Sequence, residues 1–217
     1  MSLKKITQNF KQNLLKHTNL LSPSFLGSFK TINDVPKSSS LEISVIGRSN
    51  VGKSSFLNSW LKKKKLAKIS SEPGRTRDIN LFSIGDGELL VSDLPGYGFA
   101  RVSKKEKAQW ENMISNYLEK RRNIKIVLFL IDIRRSLNDV DKELIFWLKS
   151  LNFVILYLFT KIDKVKKNEM NTNLRANLEK INESDENTVL VSNTKKIGFS
   201  DFATKLSKLI EDSYEEG

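Results

Sequence analysis

The stretch from Gly47 to Ser54 constrains the fold of this chain more than any other part of its sequence. It reads Gly-Arg-Ser-Asn-Val-Gly-Lys-Ser, follows the apolar run Leu41–Ile46 and precedes apolar residues at helical spacing. A glycine-rich turn between a strand and a helix lets successive backbone amides converge on a phosphate, and the start of a helix favours negative charge. The sequence therefore predicts a phosphate-binding loop (P-loop) within an α/β domain.

Two side chains of the P-loop are expected to carry the chemistry of a bound nucleotide. Lys53 would reach the β- and γ-phosphates, and the Ser54 hydroxyl would ligate Mg²⁺. We also expect the nucleotide to contact the rest of this stretch and the residue after it, namely Gly47, Arg48, Ser49, Asn50, Val51, Gly52 and Ser55. ATPases, kinases and GTPases all use such a loop, so it does not by itself identify the base.

Apolar runs of strand length alternate with helical stripes along the main part of the chain, which predicts a mostly parallel sheet with helices on both faces. Ile84–Glu88 reads as a tight hairpin, so one antiparallel edge strand is expected in this three-layer α/β fold. The six expected strands are Leu41–Ile46, Ile79–Ile84, Leu89–Ser92, Ile124–Ile131, Val154–Phe159 and Thr188–Val191.

The first 35 residues differ in pattern from the rest of the chain. Leu3, Ile6, Phe10 and Leu14 recur at helical spacing, and Ser22-Pro23 then breaks the pattern. We therefore expect residues 1–35 to form a helical extension and connector, and residues 36–217 to form a single nucleotide-binding domain.

The composition excludes several classes of function. The chain has no cysteine and one histidine, which removes disulfides, thiolate zinc sites and cysteine nucleophiles and argues against a histidine-based triad. No apolar run approaches the roughly 20 residues of a membrane span, and the N-terminus lacks the apolar core of a signal peptide. A cytoplasmic protein without stable membrane insertion is expected, and a monomer, because no apolar interface stripe is evident.

The net charge of +12 and the isoelectric point near 9.7 point to a polyanionic partner. Any one basic cluster could be a solvated helix end, but several near the predicted nucleotide site favour a surface for a phosphate backbone. Aromatic residues are not interleaved with them, so folded RNA fits better than a single strand. The clusters are Lys62–Lys65 with Lys68; Lys104, Lys105 and Lys107; Lys120, Arg121, Arg122 and Lys125; Arg134 and Arg135; and Lys161, Lys164, Lys166 and Lys167.

Two later motifs separate the nucleotide classes. Asp93-Leu94-Pro95-Gly96 ends the strand Leu89–Ser92, so Asp93 would hold Mg²⁺ through water and the Gly96 amide would sense a γ-phosphate. Thr160-Lys161-Ile162-Asp163 ends a later strand. The Asp163 carboxylate can accept hydrogen bonds from N1–H and N2–H of guanine, a pair of donors that adenine lacks. Guanine is therefore the expected base.

Taken in order, these motifs resemble translation-factor-class P-loop GTPases and, more narrowly, the EngB/YihA (YsxC) family of bacterial ribosome-assembly GTPases. The resemblance spans roughly residues 36–200. Its most specific stretches are residues 47–55, Pro73-Gly-Arg-Thr-Arg-Asp-Ile-Asn80 and Asp93-Leu-Pro-Gly-Tyr-Gly98. It implies the Ras-like GTPase fold, with GTP or GDP and Mg²⁺ as cofactors.

The resemblance also implies roles for residues that no spacing argument identifies. It makes Thr76 the switch I threonine, whose hydroxyl closes on Mg²⁺ when a γ-phosphate is present, within the segment Gly74, Arg75, Thr76, Arg77 and Asp78. It makes Thr160–Asp163 the guanine reader in a threonine-initiated form. Val191, Ser192 and Asn193 would form the loop whose backbone contacts the guanine oxygen. The family more often has Ser-Ser here, and the role of the Asn193 side chain stays open.

The expected catalytic residues for hydrolysis are Lys53, Thr76, Gly96 and Asn50. Two positions, Tyr97 and Asn50, bear on its rate. Tyr97 stands where other GTPases carry a water-positioning glutamine, and a phenol is a poor substitute for an amide. Slow intrinsic hydrolysis is therefore expected. Asn50 matches the asparagine with which related GTPases hold a potassium ion beside the phosphates. Alternatively, Asn50 caps amides of its own loop.

The resulting hypothesis is a GTPase that acts as a nucleotide-gated factor in ribosome assembly. The resemblance implies a precursor of the large subunit, bound through its RNA, and a link to cell division and septation. One alternative is a GTP-dependent protein-binding switch at the division site or at an anionic membrane surface. A small-molecule kinase is a further alternative, against which the Thr160–Asp163 motif argues.

Overall fold

The structure is a computed structural model that describes residues 23–61, 78–85, 87–98 and 104–215, with only the backbone given for residues 104–107. The strands are β1 (Ser24–Phe29), β2 (Leu41–Gly47), β3 (Ile79–Ile84), β4 (Leu89–Asp93), β5 (Ile124–Asp132), β6 (Val154–Thr160) and β7 (Thr188–Leu190). The helices are α1 (Lys53–Trp60), α2 (Lys104–Lys120), α3 (Asp139–Ser150), α4 (Lys167–Lys180) and α5 (Phe199–Glu215).

The strands form one seven-stranded sheet in the order β1-β3-β4-β2-β5-β6-β7. β2 lies parallel to β4 and β5, β5 to β6, and β6 to β7. β3 runs antiparallel to both β1 and β4, and Ile84 pairs with Leu89 across the expected hairpin. The mostly parallel sheet predicted from strand–helix alternation is confirmed.

The strand count was wrong by one at the edge of the sheet. Residues 24–29, expected to belong to a connector, form β1 and pair with β3. Gly27 sits at a bulge with φ +156° and interrupts the apolar alternation that would reveal a strand. The antiparallel strand is therefore second from the edge. The helix expected around Leu3 to Leu14 lies outside the described residues.

Helices cover both faces of the sheet. On one face α1 and α5 pack through Phe56, Trp60 and Phe202 against the strands. On the other face α2, α3 and α4 pack through a second cluster that includes Tyr117 and Leu148. β5 contributes alternate residues to the two clusters, which explains its unbroken apolar sequence. None of the helices in the described ranges is both long and apolar enough to cross a membrane.

A buried ion pair lies at the amino ends of the strands, at the opposite edge of the sheet from the P-loop. Glu42 is fully buried, and its carboxylate lies 2.6 Å from Nε of Arg121. The Tyr117 hydroxyl donates to the same carboxylate at 2.5 Å, and Arg121 also donates to the Pro36 carbonyl at 2.8 Å. These bonds fix the end of α2 to β2. Arg121 is therefore a structural residue and adds nothing to the basic surface predicted around it.

Replacing Glu42 by alanine should destabilise the protein strongly, because Arg121 would remain buried without a counter-charge. We expect the free energy of unfolding to fall by about 3–5 kcal/mol, measured by urea denaturation followed by circular dichroism. Glu179, an exposed residue of α4, provides the control, since its replacement by alanine should change stability by no more than about 0.5 kcal/mol. Equal losses in the two variants would contradict a structural role of the pair.

Candidate nucleotide-binding site

The predicted site residues converge at the carboxyl edge of the sheet. The P-loop follows β2, Asp93 ends β4, and Thr160 ends β6. Ser192 lies just after β7. Carboxyl ends of neighbouring parallel strands meet at one edge, where open α/β sheets bind their ligands. The order of the strands thus brings together motifs that are far apart in the sequence.

The P-loop curls tightly over the end of β5. A methyl group added at Gly47 would lie 2.7 Å from the Leu130 carbonyl oxygen, so the backbones approach too closely for a side chain. Asn50 and Gly52 adopt left-handed conformations with φ of +61° and +110°. The Phe56 amide donates to the Gly52 carbonyl at 2.8 Å and begins α1. This curl matches the cradle of amides that was predicted for a phosphate.

Lys53 and Asp93 form the charged centre of the site. The Lys53 ammonium donates to the Gly47 carbonyl at 3.1 Å. Burial lowers the pKa of Lys53, and the nearby Asp93 opposes this shift. Burial raises the pKa of Asp93 to about 6, against the opposing effects of Lys53 and a hydrogen bond from Asn80. Because burial disfavours the charged form of each group, a bound ligand of opposite charge would stabilise that form.

The donor set near Asp93 fits Mg²⁺. Within the described parts of the chain, Asp93 Oδ1 is buried and has no hydrogen-bond partner, as expected of an oxygen reserved for a cation or its water. Ser54, the other predicted Mg²⁺ ligand on the described part of the chain, lies in the first turn of α1. Those parts contain no cluster of three acidic, histidine or cysteine side chains. Asp93 and Ser54 are the described residues that would hold Mg²⁺, which would supply positive charge to offset the charge of the nucleotide's phosphates.

The predicted guanine-reading motif is tied to the P-loop by its first two side chains. The buried Thr160 hydroxyl lies 2.8 Å from the Val51 carbonyl and 3.2 Å from the Ile131 carbonyl, and both are acceptors. Lys161 Nζ donates to the Asn50 carbonyl at 2.7 Å. These bonds explain why a threonine can begin this motif: a single hydroxyl reaches the loop that holds the phosphates.

Asp163 is held ready to accept hydrogen bonds from a base. The Ser192 hydroxyl donates to its Oδ1 at 2.7 Å, and this bond is the largest cause that lowers the pKa of Asp163. The Lys195 amide donates back to the Ser192 oxygen at 3.1 Å and closes the loop after β7. The carboxylate is therefore ionised and oriented by the second predicted guanine loop.

The open role of the Asn193 side chain has a structural answer. Its Nδ2 donates to the Gly52 carbonyl at 3.3 Å. Asn193 thus connects the loop after β7 to the P-loop, a contact for which a serine is too short.

Two acidic residues escaped the sequence analysis. Asp132, at the end of β5, pairs with Arg134 at 2.7 Å and with Lys161 at 2.9 Å. Burial alone would raise the pKa of Asp132, but the hydrogen bonds from these cations outweigh it and lower the pKa to about 2. Asp141 belongs to a capping box with Asn138 at the start of α3. The spacing Asn138-x-x-Asp141 was a readable signal for this helix start.

Tyr97 is buried, and its hydroxyl donates to Asp141 Oδ1 at 2.8 Å. The side chain that follows the Asp-x-x-Gly motif is thus hydrogen-bonded to α3. This placement agrees with the inference that a phenol does not replace a water-positioning glutamine.

Part of the predicted switch I lies outside the described residues, namely Gly74, Arg75, Thr76 and Arg77. Asp78 directly precedes β3, next to the site edge of the sheet. The contacts predicted for Thr76 therefore stay a prediction.

Replacing Asp163 by asparagine should change the base preference from guanine to xanthine, because an amide donates where the carboxylate accepts. We expect the affinity for GTP to fall by at least about 100-fold and that for XTP to exceed it, in competition against a fluorescent nucleotide. The asparagine oxygen can still accept from Ser192, so folding should be retained. Glu169→Gln, the same chemical change on the exposed face of α4, is the control and should keep GTP preferred. A variant at Asp163 that still prefers GTP would contradict the base-reading role.

Comparisons with known proteins show what this chain is similar to. Residues 42–161 match a family model described as a 50S ribosome-binding GTPase. The chain is 41% identical over 160 residues to a probable GTP-binding protein EngB of Escherichia coli O1:K1, which covers 74% of each chain.

Solved structures share the fold. A crystal structure of a probable GTP-binding protein EngB superposes with a TM-score of 0.66 at 22% identity, over 79% of this chain and 99% of the other. Era of Aquifex aeolicus bound to GDP and aluminium fluoride superposes with a TM-score of 0.62 at 22% identity, over 77% of this chain and 56% of the other. The P-loop GTPase fold predicted from the motifs is confirmed.

Proposed function

The chain belongs to the EngB family of GTP-binding proteins, and we propose that it uses GTP binding and hydrolysis to gate its action as a factor in ribosome assembly. The motifs and the relatives make it a GTPase. The matching family model carries the description of a GTPase that binds the 50S ribosome, which favours a large-subunit precursor as the partner. Normal cell division and septation would then depend on it through ribosome supply.

The observation that carries the proposal is a set of cations at the nucleotide edge. Within the described residues, Arg135, Lys166, Lys167 and Lys195 are exposed and take part in none of the ion pairs. They flank the loops after β5, β6 and β7. Cations next to the nucleotide give a phosphate backbone a contact that nucleotide-dependent movement can alter.

Another basic cluster lies elsewhere. Lys120, Arg122 and Lys125 surround the start of β5, at the amino edge of the sheet. They lie at the opposite edge of the sheet from the P-loop and the nucleotide-edge cations. Only the latter are proposed to respond to the bound nucleotide.

Slow intrinsic hydrolysis is part of the proposal. Tyr97 stands where other GTPases carry a glutamine that positions the attacking water, and its hydroxyl donates to Asp141. The chain therefore depends on another group to stabilise charge at the γ-phosphate, supplied by an ion or by the partner.

A potassium ion beside Asn50 is the proposed group. The Asn50 side chain is exposed and, within the described residues, makes no hydrogen bond to the amides of its own loop, contrary to a capping role. Its carboxamide oxygen is thus available at the loop that curls around the phosphates. A monovalent cation there would neutralise developing charge as an arginine finger does.

GTP hydrolysis should be faster in potassium than in sodium at equal ionic strength, by at least about tenfold. Asn50→Gly tolerates the positive φ, lacks the carboxamide and should lose the difference between the salts. Asn152, which also has a positive φ of +60° but lies in the turn after α3, offers the matched control as Asn152→Gly. Phosphate release measured in both salts gives the answer, and equal wild-type rates would remove the potassium hypothesis.

Binding to separated ribosomal subunits should depend on the nucleotide. We expect the protein to co-sediment with the large subunit when loaded with a non-hydrolysable GTP analogue, less so with GDP, and to remain bound at moderate salt. Lys166→Ala with Lys167→Ala should weaken this binding and its salt dependence, whereas Arg122→Ala with Lys125→Ala should not. Binding that ignores the nucleotide and vanishes with salt would mean that the charge of +12 merely attracts RNA. The division-site function would then be the better hypothesis.

A further inference from the structure

Asp93, the predicted Mg²⁺ ligand, belongs to a row of polar side chains that crosses three strands. In the register of the sheet, Ser28 of β1 pairs with Asn80 of β3, and Asn80 pairs with Asp93 of β4. Side chains of directly paired residues lie on the same face of a sheet. Phe82, two places after Asn80 and therefore on this face, packs in the same cluster as residues of α1. The row thus lies on the same side of the sheet as α1, the helix that carries Ser54.

Two hydrogen bonds run along this row. The Ser28 hydroxyl donates to Asn80 Oδ1 at 2.5 Å. Asn80 in turn forms a side-chain hydrogen bond with Asp93, and its amide nitrogen is the donor, because a carboxylate only accepts. Asp93 Oδ1 has no hydrogen-bond partner in the described ranges, so Asn80 holds the carboxylate by its other oxygen. One oxygen of Asp93 is therefore restrained, and the other stays unpaired, as its predicted role as a metal ligand requires.

A bulge in β1 brings the serine into this position. Phe25 and Gly27 pair with adjacent residues of β3, so one extra residue of β1 lies between them. With regular pairing, Gly27 would stand opposite Asn80 and would offer no side chain to it. The extra residue places Ser28 there instead. The edge strand, which contains none of the predicted site residues, thereby reaches the predicted metal ligand through a single intermediate side chain.

We propose that Asn80 and Ser28 are positioning residues for Mg²⁺, which hold the Asp93 carboxylate in the orientation that binds the ion or its water. Partners behind a metal ligand fix its orientation, and their loss typically weakens metal binding by about 10- to 100-fold. Both residues act through Asp93, so neither is a catalytic residue. The proposal rests on the GTPase assignment and on Mg²⁺ as the ion, and it involves no ribosomal partner.

Replacing Asn80 by alanine should weaken Mg²⁺ binding in the complex with GDP. GDP is the suitable nucleotide because Thr76 is expected to bind the ion only when a γ-phosphate is present. Release of a fluorescent GDP from the full chain is measured over a range of free Mg²⁺ concentrations. The concentration that slows release by half should rise at least about tenfold. In excess EDTA the variant should release GDP at the wild-type rate, whereas a merely structural defect would speed release there as well.

Variants of Ser28 decide the proposal even if Asn80→Ala does not fold, because this serine is exposed on the edge strand. Ser28→Ala removes the hydroxyl and should raise the same Mg²⁺ concentration about threefold, as expected for one lost hydrogen bond. Ser28→Thr keeps the hydroxyl and should restore the wild-type value. Ser24→Ala is the matched control and should change nothing, since Ser24 is also exposed on β1 but pairs with Ser83.

Several results would overturn the proposal. These are a wild-type Mg²⁺ dependence in folded Asn80→Ala or in Ser28→Ala, equal effects of Ser28→Ala and Ser28→Thr, and faster release in EDTA without a change in Mg²⁺ dependence. If GDP release from the wild-type protein did not respond to Mg²⁺, the metal site itself would be wrong and the proposal with it. That result would leave binding to the ribosomal subunit, which is measured separately, unaffected.

Discussion

Three consecutive carbonyl groups of the P-loop each accept a hydrogen bond from a side chain of the base-reading loops, and the site depends on these bonds. Lys161 donates to Asn50, Thr160 to Val51, and Asn193 to Gly52. A curled loop that presents its amides to a phosphate turns its carbonyls outward, where they need partners. The base-reading loops supply those partners. The loops predicted to hold the phosphates and the guanine are therefore one connected unit.

The charges at the site are arranged for ligands of opposite sign. Lys53 and Asp93 are neighbours whose burial disfavours both charged forms, and each gains when phosphate or Mg²⁺ replaces the water they lost. Asp132 differs, because Arg134 and Lys161 already satisfy it. It orients Lys161, which in turn holds the P-loop. Asp132 is thus structural, whereas Asp93 keeps one buried oxygen without a hydrogen-bond partner among the described residues, as its predicted role as a Mg²⁺ ligand requires.

The sequence predicted the parallel strands correctly, and it failed where contacts between distant segments determine the structure. Strands such as β5 are buried on both faces, and their continuous apolar sequences identify them as strands. β1 contains Gly27 and exposed Phe25, and only its pairing with β3 makes it a strand. Arg121 belongs to a basic run that was predicted to lie on the surface. It is buried instead, because it forms an ion pair with Glu42, which is distant in the sequence. Likewise, the sequence placed Tyr97 after Asp-x-x-Gly, yet its partner Asp141 could not be known from spacing.

The sequence by itself determined which nucleotide chemistry this protein can perform, because that chemistry needs particular residue types at fixed local spacing. Gly47 to Ser54 are consecutive in the sequence, and the guanine-reading role predicted for Asp163 needs only the two oxygens of its own carboxylate. Tertiary structure alone decided how these groups are oriented and restrained. The bonds from Asn193 to Gly52 and from Tyr97 to Asp141 join residues on different strands and helices. Such contacts depend on the order of strands in the sheet, which brings loops together at one edge irrespective of their separation along the chain.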